Sequence, residues 1–207
     1  MFLRNTVLAT FALSMAAFAQ TDHYFQVRYA SNLNVGDSVV NISNSGAQGA
    51  GLNAGTSAST TGALCVNVYA FSPDEQMISC CSCPVTPNGL VSLSARQDLI
   101  SNTLTPAVPT SIVVKLYATT PIGGSCSNSA AAPGAAAPGM LAFGTTVHAG
   151  AAAGSAAAVT ETPFLPATLS AGELNRLTQL CTFINATGSG FGICRSCRLG
   201  GLGAGRL

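Results

Sequence analysis

The sequence predicts a mainly β fold, an antiparallel β-sandwich-like domain with one C-terminal α-helix at about 170–186, stapled by disulfides. Three observations carry this. Short segments alternate apolar and polar residues and are separated by turn chemistry. One late segment has a helix start signal and helical spacing. Eight cysteines, an even number, follow an export-type leader, and in an oxidising compartment such a set reads first as cross-links.

The leader is residues 1–19. Arg4 supplies the positive start, Val7 to Ala16 form a short apolar core, and Ala17-Phe18-Ala19 matches the small-x-small pattern before a cleavage site. The expected mature chain is one secreted β-rich domain, 20–207. No later stretch is long and apolar enough for a membrane-spanning helix of about 20 residues.

The first expected strand is Tyr24 to Tyr29, with Phe25, Val27 and Tyr29 on one face and Gln26 and Arg28 on the other. Asn34 to Asp37 reads as a turn. Ser38 to Ser43 follows as a strand with Val40 and Ile42 on one face. The short loop between these strands makes their antiparallel pairing the cheapest topology. Ser45 to Gly62 is a long Gly/Ala/Ser/Thr loop. Leu64 to Phe71 is a strong strand. Pro73-Asp74-Glu75 turns the chain into a strand from Gln76 to Cys83, which Pro84 and Pro87-Asn88-Gly89 interrupt.

Leu90 to Leu93 is a short strand and Asp98 to Pro109 a connector. Thr110 to Thr119 is the clearest strand, with Ile112, Val114 and Leu116 opposite Val113, Lys115 and Tyr117. Residues 121–139 form a low-complexity loop that Cys126 would pin. Met140 to His148 and Ala156 to Phe164 read as a strand pair around a Gly/Ala turn. The helix opens on the capping box Ser170…Glu173 and buries Leu174, Leu177, Cys181 and Ile184. Its stop is expected at Asn185 to Gly188. Phe191 onward is a cysteine-containing turn with a flexible glycine-rich tail at 199–207.

Composition narrows the functional classes. Charged residues are only 7% of the chain, against about 25% in a typical soluble domain. With Arg4 gone, the mature charge is formally zero, which gives no electrostatic drive toward nucleic acid. A surface of Ser, Thr, Asn, Gln, Gly and Ala suits a protein that packs against itself or a matrix, and equally a plain secreted domain.

The disulfide candidates are Cys65, Cys80, Cys81, Cys83, Cys126, Cys181, Cys194 and Cys197. Along a strand, Cys81 and Cys83 point to one face and Cys80 to the other, so Cys80 and Cys81 need different partners. Cys194 or Cys197 is positioned by the glycine-rich turn to fold back onto the helix that carries Cys181. Two other uses of sulfur compete. Cys194-Arg195-Ser196-Cys197 has redox spacing, and Arg195 and Arg198 would favour a thiolate, but the motif follows a helix instead of opening one. Cys80, Cys81, Cys83 and the late pair offer zinc-type ligands, which export disfavours.

Nothing else converges. His23 and His148 are far apart in sequence, Asp74 and Glu75 share a turn expected to be solvated, and no G-x-S-x-G, H-E-x-x-H or P-loop is present. Asn41-Ile42-Ser43 and Asn185-Ala186-Thr187 fit the glycosylation pattern. Arg195, Arg198 and Arg206 make a basic terminus. No catalytic, cofactor or metal residue is assigned. The expected protein is a non-enzymatic structural component, secreted or at the cell surface (the periplasm being the other compatible compartment). Its partners are itself or the extracellular matrix, with assembly by strand addition at Phe25–Tyr29 or the tail. The alternative is a secreted thiol-disulfide oxidoreductase using Cys194 and Cys197.

Overall fold

The computed structural model describes residues 23–50, 61–126, 133–150 and 157–198. The expected leader, part of the Ser45–Gly62 loop, part of the 121–139 loop and the tail lie outside the described residues. In chain order the strands are β1 (Phe25–Ala30), β2 (Val39–Asn44), β3 (Leu64–Phe71), β4 (Met77–Val85), β5 (Leu90–Ser94), β6 (Ile112–Thr119), β7 (Met140–His148), β8 (Ala158–Pro163), β9 (Leu165–Pro166) and β10 (Gly192–Ile193). Helix α1 spans Ala171–Ala186 and a short α2 spans Arg195–Arg198.

The strands form two sheets, one ordered β10-β4-β3-β6-β1-β9 and the other β5-β2-β7-β8. Val40, Ile42, Val66, Val68, Leu93, Val114, Leu116 and Met140 fill the core between them. A second cluster forms on the outer face of the larger sheet, where Phe25, Tyr69, Phe71, Met77 and Tyr117 meet Leu177, Cys181 and Ile184 of α1. The layers are therefore helix, sheet and sheet. β3 is central and covered on both faces, so all eight of its residues are buried.

The mainly β sandwich with one C-terminal helix is as the sequence predicts, and most element positions coincide with it. The pairing of the first two strands differs. β1 lies between β6 and β9, whereas β2 lies between β5 and β7 in the opposite sheet. The connection through residues 31–38 crosses the gap of about 10 Å between sheets instead of making a hairpin. β1 is therefore flanked by β6 along its length and by β9 over its first half. Among the described residues, the Phe25–Val27 part of the expected strand-addition edge is occupied and the part from Arg28 onward is not.

Three local differences have physical causes. β4 runs on through Pro84 to Val85. Its neighbour β10 reaches only Cys81 and Ser82, so Pro84 sits beyond it, where strands tolerate proline. The β3–β4 register shifts at Ala70/Phe71. This turns Ile78 into the inter-sheet core while Met77 and Cys80 stay on the helix side. Finally, β10 pairs parallel to β4, so the larger sheet is mixed rather than purely antiparallel.

Helix α1 forms where its signals place it. The Ser170 side chain accepts from the Glu173 backbone N–H at 3.1 Å. Glu173 does not close the capping box. Its carboxylate takes the Lys115 ammonium of β6 at 2.5 Å instead, which fastens the first helical turn to the sheet. Lys115 also lies 4.8 Å from the centre of the Phe71 ring.

Candidate functional site

The eight cysteines form four bridges, Cys65–Cys126, Cys80–Cys181, Cys81–Cys194 and Cys83–Cys197, and none is free. Three of the four begin on β4. The period-two alternation of a strand divides them. Cys80 faces α1 and meets Cys181, while Cys81 and Cys83 face the inter-sheet core and meet the C-terminal segment. Cys194 and Cys197 thus fold back onto β4 and not onto the helix, contrary to one sequence expectation. Cys65 pins the start of the 121–139 loop through Cys126.

Backbone geometry positions the late pair. Parallel pairing sets Gly192 beside Cys81 and Ile193 beside Ser82, and Cys194 N–H donates to the Ser82 carbonyl at 3.1 Å. The approach needs Gly190. Its φ is +71°, and a Cβ there would stand 2.9 Å from the Cys80 carbonyl oxygen. Asn185 at the end of α1 secures the same corner. Its amide donates to the Cys181 carbonyl at 2.9 Å, and its oxygen accepts from Gly192 N–H at 3.1 Å.

Asp98 holds the other side. It is fully buried and accepts from Ser94 N–H at 2.9 Å, Ser196 N–H at 2.8 Å and the Ser196 hydroxyl at 2.6 Å. A buried carboxylate with this many donors locks the Cys194–Cys197 turn against the end of β5. The sequence offers little to single it out beyond a lone Asp four residues after Ser94.

The sulfurs of Cys83, Cys194 and Cys197 all lie within 4.8 Å of one another. Cys81, Cys83 and Cys194 are buried, and Cys197 is half-buried. Cys80 is turned to the opposite face, so it does not join the zinc-type set that sequence spacing allows. Cys194 and Cys197 are each bonded to β4 instead of to each other.

A second polar centre lies between the sheets. Arg28, 8% exposed, projects inward from β1 with Gln26. Its guanidinium donates to Thr146 Oγ1 at 2.8 Å, Thr162 Oγ1 at 3.2 Å and Ser38 Oγ at 3.5 Å. Burial pushes its pKa below the ordinary arginine value, opposed by the charge of Glu161. The plane fits against Gly144, where a Cβ would come within 2.6 Å of the guanidinium. Gln26 donates to the Met140 carbonyl at 2.9 Å.

The remaining candidates stay apart. His148 is exposed, 2.9 Å from Thr160 Oγ1 on the next strand. Asp74 and Glu75 are exposed in the β3–β4 turn, where Asp74 accepts from Ser72. An open cleft of about 230 Å³ lies between that turn and Val108, below the roughly 300 Å³ at which ligand pockets begin. Asn41 donates to Glu161 at 2.8 Å on the outer face of the smaller sheet, and Asn185 is engaged as described. Arg195 is exposed over the Phe191 ring at 5.5 Å. Comparisons with protein-family models, curated proteins and solved structures return no match.

Proposed function

We propose that the chain is a secreted, non-enzymatic structural protein of the cell surface or an extracellular assembly. The supporting observation is the use of every cysteine as a bridge joining distant parts of the fold. Such cross-links persist in oxidising surroundings and suit a part that must keep its shape outside a cell. The near-zero charge weakens repulsion between copies.

The surface best suited to contacts is the outer face of the smaller sheet and its edge. Every residue of β8 is exposed, with Val159 62% exposed, and Phe143 stands beside it at 39%. β8 pairs with β7 on one side only. Pro163 and Glu161 on this strand limit the length over which another strand can add.

Size-exclusion chromatography and negative-stain imaging of the purified mature chain test the proposal. Concentration-dependent oligomers or fibres are expected. A strict monomer at high concentration contradicts assembly. The oxidoreductase reading rests on the close approach of Cys194 and Cys197, but each is committed to a different β4 cysteine.

A further inference from the structure

We infer that the two C-terminal bridges form a disulfide relay entered at Cys197. It depends on the bridged state but not on assembly, so its failure would leave the structural reading standing. Three observations combine. Sulfurs of two different bridges, Cys83, Cys194 and Cys197, lie within 4.8 Å of one another. Of the four residues involved, only Cys197 is not fully buried. The parallel register carries Cys194 past Ser82 toward the level of Cys83, so Cys194 is placed to bond either Cys81 or Cys83. The Asp98 contacts to Ser196 hold this turn in place during exchange.

The chemistry balances with a small-molecule thiol such as glutathione as reductant. Its thiolate attacks Cys197 Sγ. A mixed disulfide forms, the Cys83–Cys197 bond breaks, and the electron pair leaves on Cys83 Sγ. The Cys83 thiolate then attacks Cys194 Sγ. A Cys83–Cys194 bond forms, the Cys81–Cys194 bond breaks, and Cys81 takes the electron pair and a proton. A second thiol attacks the mixed disulfide, releasing oxidised glutathione and the Cys197 thiol. One bridge has been reduced by two electrons and two protons, and the surviving bridge has moved from Cys81 to Cys83.

Graded treatment of the full oxidised protein with reduced glutathione, acid quenching, alkylation and tandem mass spectrometry reads this directly. Proteolysis after Arg195 separates Cys197 from Cys194. The expected first product has alkylated Cys81 and Cys197 and a new Cys83–Cys194 link, with Cys65–Cys126 and Cys80–Cys181 intact. In the double variant Cys81→Ser/Cys194→Ser the new link is lost, and thiols appear at Cys83 and Cys197. Wild-type thiols at Cys83 and Cys197 with Cys81–Cys194 retained would overturn the relay. So would opening of Cys65–Cys126 or Cys80–Cys181 before any Cys81 thiol forms.

Discussion

Arg28 is a cation set among neutral partners, and its surroundings explain how the fold tolerates it. Three hydroxyls from β2, β7 and β8 or their flanks receive its donors, so one side chain ties β1 to the opposite sheet. Hydrogen bonds to charged groups are worth about 1.5–3 kcal/mol each, less the cost of desolvating the charge. Arg28→Ala is expected to lower unfolding free energy by about 2–4 kcal/mol in urea titrations. Lysine should rescue little, since it lacks the planar fork. At Asp98, replacement by Asn puts an amide donor against the Ser94 and Ser196 donors. A loss of about 1–3 kcal/mol is expected.

Tyr69 and Tyr117 give a pH signature at the same scale. Burial pushes both phenols up; the charge of Tyr117 adds to this at Tyr69, and that of Tyr24 at Tyr117. Each therefore holds its proton more tightly folded than unfolded. Their contribution is complete below the ordinary tyrosine value of about 10 and declines as pH rises beyond it. Denaturation midpoints should fall above about pH 10, and less steeply in Tyr69→Phe. An equal fall in that variant would contradict this assignment.

Among the elements, β4 does most to organise the molecule. One strand bears Cys80 toward the helix and Cys81 and Cys83 toward the opposite sheet, so its pleat decides which layer each bridge joins. Helix α1 depends on its cap and on Lys115–Glu173. Ser170→Ala should cost about 1 kcal/mol by thermal unfolding. Glu173→Gln should cost at most about 1 kcal/mol, because both partners are partly solvated.

What the sequence reveals at this scale is the local pattern. β3, β6, the β7–β8 pair and α1 carry period-two or helical spacing within themselves, and each appears where that spacing puts it. The opposite orientation of Cys80 and Cys81 is legible for the same reason. Partner choice is not local. β1 has alternating faces, but both are covered: Phe25 lies under α1, and Arg28 lies between the sheets. Alternation alone does not distinguish a helix-covered face from an inter-sheet one. Asp98 and Arg28 escape notice because the partners that give them their roles, Ser196 and Thr146, lie 98 and 118 residues away.

For the whole molecule, the bridges span separations of 61, 101, 113 and 114 residues. In the chain-entropy model a lone bridge over such a loop stabilises by about 4–5 kcal/mol. The three from β4 overlap in sequence, each closing a loop that the others already shorten, so their effects do not add. Once Cys80–Cys181 has formed, Cys81–Cys194 closes a new loop of roughly 14 residues and contributes about 3 kcal/mol, and Cys83–Cys197 then contributes about 2 kcal/mol. Single-bridge serine variants should therefore lose less than the simultaneous removal of all three.

Central to all of this is sulfur serving as covalent bracing between layers. Peptide mapping of the purified protein without reduction tests that most directly. The expected map is Cys65–Cys126, Cys80–Cys181, Cys81–Cys194 and Cys83–Cys197 with no alkylatable thiol. A Cys194–Cys197 bond, or free thiols along β4, would contradict it.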